Sequence, residues 1–381
     1  MNILLLSEFF PSSDLDITGG VENRAYYTAK ELAKKNNVYV ITSKQPETDN
    51  FEKFENIHVF RISPEFPYSS TGSLLKRSIF GLNACTKILL FCRKKNIKVV
   101  DAQSFFTYPA AIISNILSKK SFLTYHETWL DSWIKNTGTK VGAFGEIFER
   151  IILFFANIMN LKIISVSGFT KKKLAGNGYK KENIEVIHNG IELEKYRKVL
   201  AKKNKKTICY VGRLIKHKRV QDLIKSIEII KKKIPGIRCE IIGEGPQKQN
   251  LIKLAKKCNV YENIRFLGYL KNHESVIKKI KSSSILVHPG TVEGFGFVLI
   301  EAMACSTPYV CSDIDVFLEV TNNGKGGLIF KRRNYKDLSE KILELLENKK
   351  LYKKKKIQAE KFAEKYNWKN IVEKIERIYE C

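Results

Sequence analysis

Short, nearly continuous apolar runs recur along this chain, and the stretches between them carry helical periodicity. Asn2-Ile3-Leu4-Leu5-Leu6-Ser7 predicts a first strand, followed by a helix to about residue 33 and strands at 38–42 and 57–62. A basic helix comes next, then strands at 99–102, 121–125, 162–166 and 184–187, with helices at 108–117 and 144–159 between them. The rhythm restarts at 207–211 and continues at 239–242, 264–267, 285–287, 309–311 and 328–330, before a charged helical tail over 337–381. Buried strands that alternate with helices imply an α/β chain with parallel, doubly wound sheets. Between 192 and 206 the apolar periodicity stops and lysines accumulate, so the interdomain linker is expected there. The expected domains are therefore 1–195 and 204–365. Two such halves joined by a linker give a cleft, and ligands of doubly wound sheets bind beyond the carboxyl ends of the strands.

With 381 residues and 44% hydrophobic content the chain can bury two sizeable cores. Met1 to Glu8 lacks a basic leader and a small-residue cleavage site, which predicts a strand and no signal peptide. Nothing reaches the ~18 uninterrupted apolar residues of a spanning helix; the run at 147–164 carries Glu149, Arg150, Asn157, Asn160 and Lys162. Eight cysteines without a Cys-x-x-Cys read as reduced core thiols of a cytoplasmic protein. The net charge of +28 admits nucleic acid, an anionic membrane surface or plain lysine-rich composition. No nucleic-acid-binding signature accompanies it, so no nucleic-acid partner is expected. The helix at 76–98 mixes seven basic residues with an apolar face and suits either packing on a sheet or lying on a membrane; packing is the preferred reading.

The unusual residues gather where strands end. Gly19-Gly20 follows the first strand, His126 ends the strand at 121–125, and Arg213 follows 207–211. Gly243-Glu244-Gly245-Pro246 follows 239–242, and Glu293 follows 285–287. The most informative stretch is Glu293-Gly294-Phe295-Gly296-Phe297-Val298-Leu299-Ile300-Glu301-Ala302-Met303. It reads as strand, glycine turn and helix, a shape that suits a diphosphate, with one carboxylate before the helix and another a turn inside it. Taken alone, Glu293 would be a helix cap and Glu301 a solvated side chain. Neither Gly243-Glu244-Gly245 nor Gly294-Phe295-Gly296 has the third glycine of a dinucleotide fingerprint, since Lys248 and Leu299 stand there, and no phosphate-loop motif is present. Asp14-Leu15-Asp16 and Asp313-Ile314-Asp315 are Asp-x-Asp sequences of a kind that arises readily by chance in loops, so no metal site is expected.

The spacing of Glu293 and Glu301 resembles the Glu-x7-Glu arrangement of retaining glycosyltransferases with the two-domain GT-B fold, and the surroundings are similar to glycosyltransferase family 4. Val211-Gly212-Arg213-Leu214 with Lys218, Ile241-Ile242-Gly243-Glu244-Gly245-Pro246, Val186-Ile187-His188-Asn189-Gly190-Ile191, Ser165-Val166-Ser167 and Glu301-Ala302-Met303-Ala304 occur in the family's order. The resemblance implies that Arg213 and Lys218 hold the donor diphosphate without a metal. It implies that Glu301 meets the ribose, that Glu293 with the backbone at Phe295 and Gly296 addresses the sugar, and that Gly243 belongs to the donor site. His126 would reach the donor sugar from the first domain, and the Gly19-Gly20 loop would close over the diphosphate. The first domain would be the acceptor side and the second the nucleotide-sugar side, with a C-terminal helix of about 366–381 packing back on the first.

The implied reaction is transfer of a sugar, with retention, from a nucleoside-diphosphate sugar, UDP- or GDP-linked, to a hydroxyl of a glycan, lipid-linked or small-molecule acceptor. No cofactor is implied. A nucleotide-sugar epimerase, a phosphorylase, or a basic membrane- or nucleic-acid-binding protein are the alternative readings. The expected location is the cytoplasm, with peripheral attachment at the inner face of the cell membrane left open. Four positions depart from the family pattern: Arg219 and Ser306 replace usual glycines, Gln103 a frequent histidine, and Glu192 an aspartate.

Overall fold

The two sets of apolar runs form two separate sheets in the computed structural model, which describes residues 1–12, 17, 19–67, 74–117, 119–134 and 138–380. The first sheet contains β1 (Asn2–Leu6), β2 (Asn37–Thr42), β3 (Phe51–Phe54), β4 (Ile57–Arg61), β5 (Val99–Ala102), β6 (Lys120–Tyr125), β7 (Lys162–Ser165) and β8 (Ile184–Val186). Their spatial order is β3-β4-β2-β1-β5-β6-β7-β8. The second contains β9 (Asn204–Val211), β10 (Arg238–Ile242), β11 (Ile264–Gly268), β12 (Ser283–His288), β13 (Tyr309–Ser312) and β14 (Gly327–Phe330), in the order β11-β10-β9-β12-β13-β14. The second sheet is wholly parallel. Parallel strands are covered on both faces, which is why the sequence shows them as unbroken apolar runs.

One strand of the first sheet was not expected. β3 pairs antiparallel with β4 through a tight turn in which Glu55 takes φ +51°. Its four residues, Phe51-Glu52-Lys53-Phe54, lie on the sheet edge with none buried, so they lack the apolar run that marks the other strands.

By internal contacts the chain divides into a unit of residues 1–190 and 368–381 and a unit of residues 191–367. Residues 192–206, expected to be a linker, instead hold a helix, Leu193–Lys198, and the first residues of β9. Leu193 and Tyr196 bury one side of that helix, an i, i+3 pair too short to register as periodicity. In the first unit the sheet has a cluster on each face. The helices Leu74–Lys94, Tyr108–Asn115 and Thr139–Ile158 contribute Phe80, Ala84, Ile88, Tyr108, Ile152 and Ala156 to one. The helix at 74–94 thus packs on the sheet through residues four apart. The helices Gly20–Leu32 and Trp368–Glu380 supply the other cluster, with Tyr27 and Trp368 stacked at 5.7 Å and 10°.

Candidate functional site

Order reverses in the second sheet between β9 and β12, which lie side by side and whose next neighbours run outward in opposite directions. A crevice at such a switch point is where doubly wound sheets bind ligands. The loops after β9 and β12 carry Arg213, Lys218 and Glu293, and backbone contacts join them. The Thr291 N–H donates to the His217 carbonyl at 2.8 Å, and its hydroxyl donates to the same oxygen at 3.3 Å. Lys218, 11% exposed, thereby meets Glu293, 20% exposed, in an ion pair. His288, at the end of β12, donates from Nε2 to the same Glu293 oxygen, Oε2, at 2.9 Å, because a carboxylate can only accept. Burial alone would raise the Glu293 pKa, but the Lys218 ammonium and the His288 hydrogen bond outweigh it and hold the carboxyl well below its ordinary range. Burial, helped by the Lys218 charge, lowers the His288 pKa despite the bond to Glu293, and so favours the neutral ring. Among the described residues, Glu293 Oε1 has no partner.

Glu301 repeats the arrangement. Its helix, Phe297–Ala304, starts after Gly296, which takes the left-handed φ of +87° and provides no side-chain cap to the free N–H groups of the first turn. Burial of Leu299, Ile300, Ala302 and Met303 fixes the helix face, and Phe295 is buried against Phe297 and Tyr366. Tyr196 Oη and His273 Nε2 both donate to Glu301 Oε1, each at 2.8 Å. The carboxyl is held below its usual range because these donors outweigh burial. Glu301 Oε2 has no partner among the described residues. So two carboxylates eight positions apart each have one oxygen pinned by two donors and the other uncommitted.

Arg213 is exposed and makes no ion pair among the described residues. Its loop is fixed by backbone: Gly212 N–H donates to the Ile242 carbonyl at 3.0 Å, and Leu214 N–H to the Glu244 carbonyl at 2.8 Å. Gly243 and Gly245 permit this approach, since a Cβ on Gly243 (φ +130°) would lie 2.1 Å from the Gly212 oxygen. The absent side chain at Gly243 therefore serves loop against loop.

The remaining predicted residues lie in the first unit. Gly19 caps the Gly20–Leu32 helix and Gly20 is its exposed first residue, in the connection after β1. Thr18 and Asp14-Leu15-Asp16 fall outside the described residues. His126 directly follows β6; burial, with the Arg24 guanidinium nearby, lowers its pKa to about 3, and its Nε2 is buried without a hydrogen bond among the described residues. Arg24 itself is fully buried. Its Nη1 donates to the Ile187 and His188 carbonyls at 3.1 and 3.0 Å and to Asn189 Oδ1 at 2.9 Å, while Nε and Nη2 have no partner among the described residues. Gln103 donates to Asp101 Oδ2 at 2.6 Å, and burial raises the Asp101 carboxyl to about 6 despite four stabilising neighbours.

Sequence reasoning missed Tyr196, His273, His288 and Arg24. His288 stood in plain view at a strand's carboxyl end; Tyr196 was hidden in the supposed linker. Asp313 pairs with Arg332 at 3.4 Å, and among the described residues no three His, Cys, Asp or Glu side chains gather as a metal site.

Residues 18–195 match Glycosyltransferase Family 4, and residues 192–362 match Glycosyl transferases group 1. An uncharacterized glycosyltransferase of Methanocaldococcus jannaschii is 30% identical over 282 residues, spanning 73% of this chain and 74% of that protein. The capsular polysaccharide biosynthesis glycosyltransferase CapM of Staphylococcus aureus is 25% identical over 369 residues, 91% of each chain. The structure of Anabaena HepE in complex with UDP and glucose aligns with a TM-score of 0.73 at 17% identity, covering 100% of this chain and 99% of that one, which speaks for the fold. The two doubly wound domains and the sequence matches running from 18 to 362 lead to one conclusion: this protein is a group 1 glycosyltransferase of the GT-B fold.

Proposed function

We propose that this glycosyltransferase moves a sugar, with retention of configuration, from a UDP- or GDP-linked donor to a hydroxyl of a glycan, lipid-linked or small-molecule acceptor, and needs no metal ion. The observation that carries the reading is the pair of half-committed carboxylates. An oxygen fixed in place but unpartnered is a preorganised acceptor for a hydroxyl. Glu301 Oε2 is assigned to the ribose hydroxyls and Glu293 Oε1 to the sugar, beside the backbone N–H groups of Phe295 and Gly296. Lys218 and Arg213 are assigned to the diphosphate, where an ammonium and a guanidinium offset charge on the leaving phosphate. His126, neutral at pH 7, is assigned to a sugar hydroxyl, and the Gly19-Gly20 turn and Gly243 to the donor.

In the reaction the acceptor oxygen bonds to the anomeric carbon from the face that the phosphate leaves. The sugar–phosphate C–O bond breaks, and the acceptor's proton passes to a donor phosphate oxygen. The products are a glycoside and a nucleoside diphosphate. The likeness to HepE, whose structure holds UDP and glucose, supports a nucleotide donor, and CapM's part in capsular polysaccharide biosynthesis supports a glycan product. The enzyme is proposed to work in the cytoplasm, peripheral at the inner face of the membrane, without a nucleic-acid partner.

The test is thermal melting with UDP, GDP and their sugar conjugates, followed by turnover of whichever binds. One base should raise the melting point; at ~100 times Kd the gain is roughly 2.7 kcal/mol. Silence from every sugar nucleotide would remove the reading. Turnover that is unchanged in chelator is expected, and an absolute divalent-ion requirement would overturn the metal-free part.

A further inference from the structure

The helix Thr139–Ile158 is amphipathic in the unusual sense that its outward face is apolar. Phe144, Ile147, Ile151, Phe154 and Ile158 fall at alternating three- and four-residue spacing, with Phe155 four residues after Ile151, and all six are between 48% and 65% exposed. A stripe of this kind on an otherwise charged protein marks an interaction surface.

The helix cannot rotate to hide it. On its inner side Gly145 sits so near Trp133 that a Cβ would lie 2.4 Å from the ring, and Gly142 is pressed as tightly on the Ile134 backbone. Buried Glu149 accepts from Thr128 Oγ1 at 2.7 Å and Trp133 Nε1 at 2.6 Å. Among the described residues no helix is long and apolar enough to cross a membrane, so the stripe is not part of a span.

Charge decides what covers it. The helices Leu74–Lys94 and Tyr108–Asn115 share the same core cluster and so the same layer. Between Phe66 and His126 the sequence holds nine basic residues and one acid, Asp101, which is buried. Lys87, Arg93 and Lys94 are exposed there, as are Leu82 and Leu90. Lys140 is exposed at the start of the stripe's own helix. On the stripe's own helix Glu149 is buried and Glu146, with Asp131, is paired to Arg150. Apolar side chains beside a lysine-rich surface whose nearby carboxylates are buried or paired suit insertion into the headgroup boundary of an anionic bilayer. A second copy would bring another +28 molecule against this one, and the carboxylates beside the stripe, Glu146 and Asp131, are already paired to Arg150.

We propose that the outer face of the 139–158 helix, with the basic surface of the 74–94 helix, is an anionic-membrane docking surface. The inference rests on the peripheral attachment proposed above and names the face that makes it. The test is co-sedimentation of the full chain with large vesicles of phosphatidylcholine, alone or with phosphatidylglycerol. The parent should pellet with the anionic vesicles, more weakly as salt rises. The combined variant Ile147→Ser, Ile151→Ser, Phe154→Ser should lose at least about tenfold in binding, with melting temperature and nucleotide-induced shift retained. Lys87→Gln, Arg93→Gln, Lys94→Gln should shift the salt dependence. Parent-like binding by both variants would overturn this face while leaving peripheral attachment standing, and no binding by the parent would overturn both. Self-association of the parent that the serine variant abolishes, or equal binding to neutral vesicles, would also overturn the assignment.

Discussion

The ionisable groups of the two units are held in opposite ways. In the second unit each candidate carboxylate is held by donors from other positions: Lys218 and His288 on Glu293, Tyr196 and His273 on Glu301. In the first unit the His126 Nε2 atom and the Arg24 side chain are buried with polar atoms that have no partner among the described residues, and Asp101 is driven toward its neutral form. Carboxylates pinned by donors make a site whose geometry exists before ligand arrives. Buried groups with unmet hydrogen bonds carry a standing cost that a ligand or a proton can relieve. The second unit is thus built for fixed recognition, and the first is the more sensitive to conditions.

The largest expected effect sharpens that contrast within one site. Lys218→Ala and Arg213→Ala should each lower turnover about 100-fold or more. Only Lys218→Ala should also destabilise the fold, by about 1–3 kcal/mol, because it strips a partner from Glu293; equal melting points for the two variants would break the distinction. Gly243→Ala places a Cβ against the Gly212 carbonyl at a φ side chains avoid, and should cost about 3 kcal/mol or more in denaturant melts. Gly20→Ala, at an exposed helix start, should stay within about 0.5 kcal/mol. Glu301→Gln keeps the shape but turns an accepting oxygen into a donor. Nucleotide affinity, read by calorimetry, should fall about tenfold, or roughly 1.5 kcal/mol.

The pH response tests the first unit. His126 titrates below its ordinary value, so its contribution is fully present above about pH 6.5 and is lost as pH falls toward 3, where the unfolded chain alone takes the proton. The limiting slope is about 1.4 kcal/mol per pH unit, so His126→Gln should spare up to about 2 kcal/mol of the parent's loss between pH 6.5 and 5. Asp101, raised to about 6, works in the opposite sense over much of that window, and subtracting parent from variant removes it. Glu293, depressed, adds its loss only below about pH 4.3. A variant with the parent's slope would show that His126 is not held neutral.

A smaller, stabilising effect concerns the departures from the family pattern. Arg219 and Ser306, where glycine is usual, both take left-handed backbone, φ +55° and +49°. Ser306 closes the Phe297–Ala304 helix, with the Thr307 N–H returning to the Ala302 carbonyl at 2.9 Å. Ser306→Gly should gain about 1 kcal/mol. Arg219→Gly should gain less, since it gives up two 2.8 Å contacts with Asp222.

Most of the strands, the glycine turns and the Glu-x7-Glu spacing were legible in the chain, because buried parallel strands and helix starts leave local patterns. β3 was not, since a half-exposed edge of four residues has no apolar run, and the 192–206 stretch misled because its short helix is buried on only one side. The sequence by itself determined two doubly wound sheets and which residues stand at their carboxyl edges. Only the tertiary structure decided what those residues touch. Lys218 and Glu293 are 75 positions apart, and Tyr196 and Glu301 are 105 apart. Such pairs form because β9 and β12 lie side by side and the 193–198 helix packs on the Phe297–Ala304 helix, and no local pattern encodes a contact between distant segments.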